Sequence, residues 1–150
     1  MRLLQTTPYM VTAEEGQLLA SIGPLVSVKA SCEQTGGAFN LFEVTCPPGY
    51  ATELHIHYAE DVAMYVLSGA LTIFWGAEHQ AAVAGAYVYQ PRGIPHGFRV
   101  EGRTPARFLY LTFPAGLDQF VREQEQPAPN VEPWTAAARY QIESLGPLPE

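Results

Sequence analysis

Positive charge is scarce in this sequence. Eight Lys and Arg stand against fifteen Asp and Glu, a net charge of −7, and no basic stripe runs through the 150 residues. Nothing is present to track a phosphate backbone, so a nucleic-acid partner is not expected. Long apolar runs are missing too: no segment reaches the roughly eighteen uninterrupted apolar residues of a spanning helix. The opening Met1-Arg2-Leu3-Leu4 runs straight into Gln5-Thr6-Thr7-Pro8, too short for the apolar region of a secretory signal. No membrane partner and a cytoplasmic location follow as expectations. Cysteine is limited to Cys32 and Cys46, both in strand-like runs and without CxxC spacing, which predicts two buried reduced thiols rather than a disulfide.

With 47% apolar and 15% charged residues the chain is globular, and its length suits one domain over 1–150 with a single core. From Pro24 to Phe113, short β-branched and aromatic runs such as "GGAFNLFEVTC", "DVAMYVLSGALTIFWG" and "ARFLYLTF" alternate with Gly and Pro breaks. None is long enough for a good helix, so residues 24–113 are predicted as an all-β core. Ser68-Gly69 and Gly76-Ala77-Glu78-His79 read as turns of a meander. Within "VAMYVLS", Val62, Met64 and Val66 share one face while Ala63, Tyr65 and Leu67 share the other, which predicts a strand buried on both sides, as in a closed barrel or a covered sandwich. After Pro114 the period changes. "AGLDQFVREQEQ" has helical spacing, the link "PAPNVEP" follows, and "WTAAARYQIESLG" reads as a second short helix, making a helical extension over 115–146.

Four histidines carry the chemistry. His55 and His57 stand at i and i+2, so on a strand they point the same way about 7 Å apart along the chain, a spacing at which two imidazoles can share an ion. His96 follows the Pro91-Arg92-Gly93 turn and opens the next extended run. Neutral imidazoles on rigid strands suit Zn, Fe, Ni, Co, Mn or Cu. The His55–His57 pair by itself is equally read as polar strand residues satisfied by backbone. His79, in a polar turn, is expected to be solvated.

Taken together, the two stretches resemble the two signature motifs of the cupin superfamily. Gly49, His55, His57 and Gly69 match the first motif, Gly-x5-His-x-His-x3,4-Glu-x6-Gly, apart from its Glu; Gly85, Pro91, Gly93 and His96 match the second, Gly-x5-Pro-x-Gly-x2-His-x3-Asn, apart from its Asn. Further stretches, from "TGGAFNLFEVTCPPG" to "AARYQIESLGP", look like small single-domain bacterial cupins grouped with the quercetin dioxygenase-like proteins. The resemblance implies a jelly-roll β-barrel with short C-terminal helices, one divalent transition metal on His55, His57 and His96, and a homodimer built from barrel faces and exchanged terminal strands.

Two departures matter. Val62 stands where the motif has its metal-binding Glu, and Val100 where the second motif ends in Asn. Asp61 has the wrong spacing to Gly69. Glu60 and Asp61 are expected as solvated turn residues, and Glu60 stays a candidate catalytic group or fourth ligand if a bend after His57 swings it inward. A site of three neutral imidazoles leaves a divalent ion its full double charge, which favours an anionic oxygen donor from substrate, and leaves room for a bidentate ligand plus dioxygen. By strand parity Val62, Met64 and Phe98 are the candidate pocket residues, suited to a flat, mostly apolar small molecule. The resulting expectation is a metal-dependent dioxygenase acting on a flavonol-like or other enolisable bidentate ketone. The alternatives are a non-redox cyclase or isomerase and a cupin that binds a small molecule without catalysis.

Overall fold

Strict alternation along the chain becomes strands wherever one face can be buried. The computed structural model describes residues 6–20, 23–125 and 133–150; the Met1–Leu4 opening and residues 127–132 of the proline-rich link lie outside these. Among the described residues the elements are β1 (Gln17–Ala20), β2 (Leu25–Ala30), α1 (Cys32–Thr35), β3 (Asn40–Cys46), β4 (His55–His57), β5 (Asp61–Ser68), β6 (Ala70–Trp75), β7 (Glu78–Val83), β8 (Tyr87–Gln90), β9 (His96–Glu101), β10 (Ala106–Phe113), α2 (Leu117–Glu125), α3 (Pro133–Ala138) and β11 (Ile142–Ser144). In β3 every second residue, from Asn40 through Phe42 and Val44 to Cys46, is buried, which is the period-2 signature of a half-covered strand.

Two antiparallel sheets result, in the orders β1-β2-β3-β10-β5-β8 and β11-β4-β9-β6-β7. From β3 onward the chain passes repeatedly between them, a jelly-roll path. The sheets meet face to face rather than closing into a ring. Phe42, Val62, Met64, Val66, Leu71, Ile73, Val100 and Phe108 fill the space between, each no more than 2% exposed. Full burial of such a side chain stabilises by roughly 1.5–3 kcal/mol, so this layer dominates the fold's stability. The passage from β5 to β6 turns on Gly69. Its φ is +82°, and a Cβ there would lie 2.6 Å from the Pro105 carbonyl oxygen and 2.7 Å from Ala106 Cα, so both backbone conformation and space require glycine.

Three expectations are corrected. β5 is fully covered on its inner face but unevenly on the outer one, where Ala63 is buried, Leu67 half-buried and Tyr65 44% exposed. Cys46 is buried at the end of β3, but Cys32 is half-buried and opens α1, one turn capped by Ser31, whose hydroxyl accepts from Gln34 N. The second C-terminal helix stops at Ala138. Gln141 takes a φ of +60°, and Ile142–Ser144 then pair antiparallel with His57–His55 as β11.

The C-terminal arm is fixed over the end of the first sheet by a buried amide. Asn40 Oδ1 accepts from Thr112 Oγ1, Gly116 N and Asp118 N, while its Nδ2 donates to the Ala30 carbonyl. Asp118, 1% exposed, accepts from Cys32 N and Arg122. Both contacts hold the start of α2 against the fold and bring Leu117 and Phe120 toward the histidine-bearing end of the sandwich.

Candidate metal centre

His55 and His57 alternate on β4 and share a face, as their spacing predicts, and His96 stands directly across from His55 as its register partner on β9. The ring centroids are 5.0 Å apart for His55 and His57, 4.6 Å for His55 and His96, and 5.2 Å for His57 and His96. One nitrogen from each ring lies within 4.8 Å of the others, and all three residues are buried, so the group could hold a metal ion. Two local features bring β4 and β9 to this approach. Gly93, in the turn before His96, donates its N–H to the His57 carbonyl at 2.8 Å. Gly97, next to His96, has no room for a side chain: a Cβ would sit 2.8 Å from Thr52 Oγ1 and 3.1 Å from the Glu53 carbonyl oxygen.

The outer nitrogens define the tautomers. His55 Nδ1 is 2.6 Å from the Glu53 carbonyl oxygen and His96 Nδ1 is 2.9 Å from that of Ile94. A carbonyl only accepts, so Nδ1 carries the hydrogen in both rings and Nε2 keeps the lone pair a metal needs. His57 Nδ1 is 2.6 Å from Glu60 Oε1. His96 Nε2 is buried with no hydrogen-bond partner. Leaving such an atom unmatched costs about 1–3 kcal/mol, which an ion at that nitrogen would offset, so the donor set fits a transition metal.

Burial and the neighbouring imidazoles push His55 down to about 4 and His96 down to about 3, with burial the larger cause, so both are neutral ligands at physiological pH. The sign of the linkage follows. An unfolded histidine protonates near 6.5 while these two do not, so the metal-free protein keeps its full stability above pH 6.5. It then loses about 1.4 kcal/mol per pH unit for each of the two as pH falls toward their folded values. Urea midpoints of chelator-treated protein from pH 8 to 4 should show this fall, and His96→Gln should remove part of it. Equal slopes in the two proteins would show that His96 does not titrate in this way.

The two acids behind the pair are not solvated turn residues. Glu60 is 6% exposed and held by His57, its carboxylate on the Nδ1 side of the ring, away from the ligand nitrogen. Asp61 accepts a fork from Arg92, Nε at 3.1 Å and Nη2 at 3.2 Å, plus the Arg92 N–H at 2.9 Å. These bonds hold its carboxyl below the ordinary range and bind the start of β5 to the turn that precedes His96. His79 is exposed but lies on β7, not in a turn, with its ring 5.7 Å from Phe74 and no part in the cluster.

A cavity of about 310 Å³ reaches His55 and His57, walled by Tyr50, Thr52, Glu53, Tyr110, Leu117, Phe120, Val121 and Ile142. A smaller one of about 150 Å³ shares Tyr50, Thr52, Tyr110, Leu117 and Val121 with it and extends past Phe98 to Phe42 and Phe108. Of the three pocket residues expected from parity, Phe98 thus lines the adjoining cavity. Val62 and Met64 line neither; at 0% and 1% exposure they are packed into the core. Burial pushes the Tyr50 hydroxyl up to about 12 and also raises that of Tyr110, and both residues line the larger cavity, where a neutral phenol can donate a hydrogen bond. Glu53 shares the parity of His55 and His57 and could have been found from it; the wall from α2 and β11 had no local signal.

Comparison with known proteins agrees with this geometry. Residues 42–112, which include all three histidines, match the family model described as a cupin domain. Quercetin 2,3-dioxygenase from Bacillus subtilis (strain 168) is 28% identical over 94 residues, covering 63% of this chain and 28% of that protein, so the chain spans less than a third of the relative's length. Among solved structures, KdgF from a Halomonas species superposes with a TM-score of 0.67 at 18% identity, covering 75% of this chain and 99% of that one. An RmlC-like cupin from Shewanella frigidimarina NCIMB 400 gives 0.65 at 16% identity, covering 77% and 98%; at these identities both show the fold alone. Two facing antiparallel sheets, a histidine triad on β4 and β9 and the matched domain model agree: residues 42–112 of the chain are a cupin domain.

Proposed function

We propose that this chain is a metal-dependent dioxygenase for an enolisable, bidentate ketone of flavonol-like shape, with one divalent transition metal held by Nε2 of His55, His57 and His96. The observation that carries this is the triad of buried imidazoles, without a carboxylate among them, beside a largely apolar cavity. When bound, the metal supplies Lewis acidity undiminished by any anionic ligand, which favours an ionised oxygen pair from substrate and leaves a position for dioxygen. The protein's own residues bind and orient. Tyr50 and Tyr110 can donate to substrate oxygens, while Leu117, Phe120, Val121 and Ile142 exclude water from its apolar body.

The test is direct: protein reconstituted in turn with Fe, Ni, Co, Mn, Cu and Zn is assayed for oxygen uptake with a flavonol and with a simple 1,3-diketone. Uptake with at least one metal supports the reading, and none across the panel overturns it. One observation favours a second reading, a cupin that only binds, over both the dioxygenase and a non-redox cyclase or isomerase. The acids near the site are engaged, Glu60 by His57, Asp61 by Arg92, and the Glu53 carboxylate by the Ser144 hydroxyl, which leaves substrate deprotonation without an evident unpaired base.

Among the described residues no helix is long and apolar enough to cross a membrane. A cytoplasmic location and a homodimer belong to the same proposal. The outer face of β5 and β8 exposes Tyr65, Tyr87 and Tyr89, with Tyr65 and Tyr87 paired across the strands, a surface suited to a second copy. A monomeric mass by sedimentation at micromolar concentration would remove the dimer.

A further inference from the structure

The three histidines are not oriented alike. His55 and His96 each give Nδ1 to the carbonyl two residues before them, a neutral acceptor supplied by the strand itself. His57 instead meets a full carboxylate, Glu60 Oε1 at 2.6 Å, with side-chain exposures of only 5% and 7%. If orientation were all that the ring needed, a carbonyl would serve, as it does twice in the same site. Burying a carboxylate for that purpose is disfavoured, because a charge removed from water must be matched by interactions of similar strength.

Glu60 is also held where it is from both sides. Tyr58 N donates to the Gln141 carbonyl at 2.9 Å and the Tyr58 hydroxyl donates to Glu143 Oε2 at 2.9 Å, which ties the residue after His57 to the C-terminal strand segment. On the other side Asp61 is clamped by Arg92. Between these anchors the chain bends at Tyr58-Ala59, so that Glu60 returns toward His57 rather than continuing the strand. Two residues further on, at the position where the first motif has its carboxylate, stands Val62, fully buried and apolar.

We propose that Glu60 is a positioning residue that supplies, one hydrogen bond removed from the ion, the negative charge that a carboxylate at position 62 would have placed on it directly. This rests on the three-histidine metal reading. The carboxylate draws the Nδ1 hydrogen of His57, fixes its tautomer, and increases electron density at Nε2, so His57 is the strongest donor of the three. Because the charge reaches the ion through a ring instead of occupying a coordination position, the position stays open for an anionic ligand while part of the ion's charge is balanced.

The experiment is Glu60→Gln, which keeps the length and an acceptor oxygen and removes the charge. Zn and Co dissociation constants are measured by chelator competition, with the visible spectrum of the Co-loaded protein and the melting midpoint of the metal-free protein. Expected are a metal affinity about 10–100-fold weaker, a shifted Co spectrum, and a metal-free midpoint no lower than wild type, since a buried charge has been replaced by a neutral amide. His96→Ala is the control. If it loses metal while Glu60→Gln binds Zn and Co as the wild type does with an unchanged spectrum, the charge role is overturned and the three-histidine reading stands. If His96→Ala also keeps wild-type affinity, the three-histidine reading itself fails. A Glu60→Gln protein that no longer folds without metal would assign Glu60 to the fold and likewise overturn the proposal.

Discussion

His55→Ala, His57→Ala and His96→Ala should each strip the purified protein of most of its metal, whereas His79→Ala should leave the content unchanged. Substitution of a hydrogen-bonding partner behind a metal ligand already costs about 10–100-fold in affinity, and removal of one of only three protein donors must cost more. The three residues are 8%, 4% and 3% exposed and their ligand nitrogens converge within 4.8 Å. His79 is exposed on β7 and in ring contact with Phe74, apart from the cluster. Elemental analysis of the four variants after identical purification checks this. Equal metal in all four would remove His55, His57 and His96 as ligands.

The triad was legible in the sequence because its geometry is set by short-range rules. Two residues apart on a strand fixes the common face of His55 and His57, and a Pro-x-Gly turn before an extended run brings His96 to the start of the facing strand. The position of Glu60 was legible only as the lesser alternative, because parity counting assumes that the strand continues beyond His57 and a bend there had to be supposed. The bend at Tyr58-Ala59 breaks that count, and it is stabilised by Gln141 and Glu143, some 85 residues away along the chain. The same distance hid β11. "WTAAARYQIESLG" has a helical composition, and Ile142–Ser144 become a strand only because the edge of β4 offers partners: Leu145 N reaches the Leu54 carbonyl and Leu54 N reaches that of Gly146. Tyr65 shows a further limit. Both faces of β5 are apolar in sequence, yet only the one bearing Val62, Met64 and Val66 meets the opposing sheet; hydrophobic alternation marks faces that can be covered, not whether anything covers them.

Val62→Glu should separate the metal-free and metal-loaded states more than any other single change. Val62 is 0% exposed, with Gln90 of β8 and Thr112 of β10 as its cross-strand neighbours on the inner face. Thr112 is engaged by Asn40, but Gln90 Nε2 is buried without a partner and can donate to a new carboxylate. One such bond does not match a buried charge. The metal-free variant should therefore lose several kcal/mol, read as a lowered urea midpoint. Loading with metal should reverse the order. An oxygen donor at the motif's carboxylate position adds a fourth protein ligand and lowers the net charge of the site by one, so the variant should release metal to a chelator more slowly than wild type and regain the lost midpoint. The same carboxylate should weaken binding of an anionic ligand, which would meet a less positive ion and a filled position. Adding Glu60→Gln to this variant should then cost less affinity than it does in the wild type, because two carboxylates would be balancing one charge and removal of the outer one leaves the inner. A midpoint that stays depressed after metal addition, with chelator release as fast as wild type, would show that Val62 belongs to the core alone and that position 62 does not address the ion.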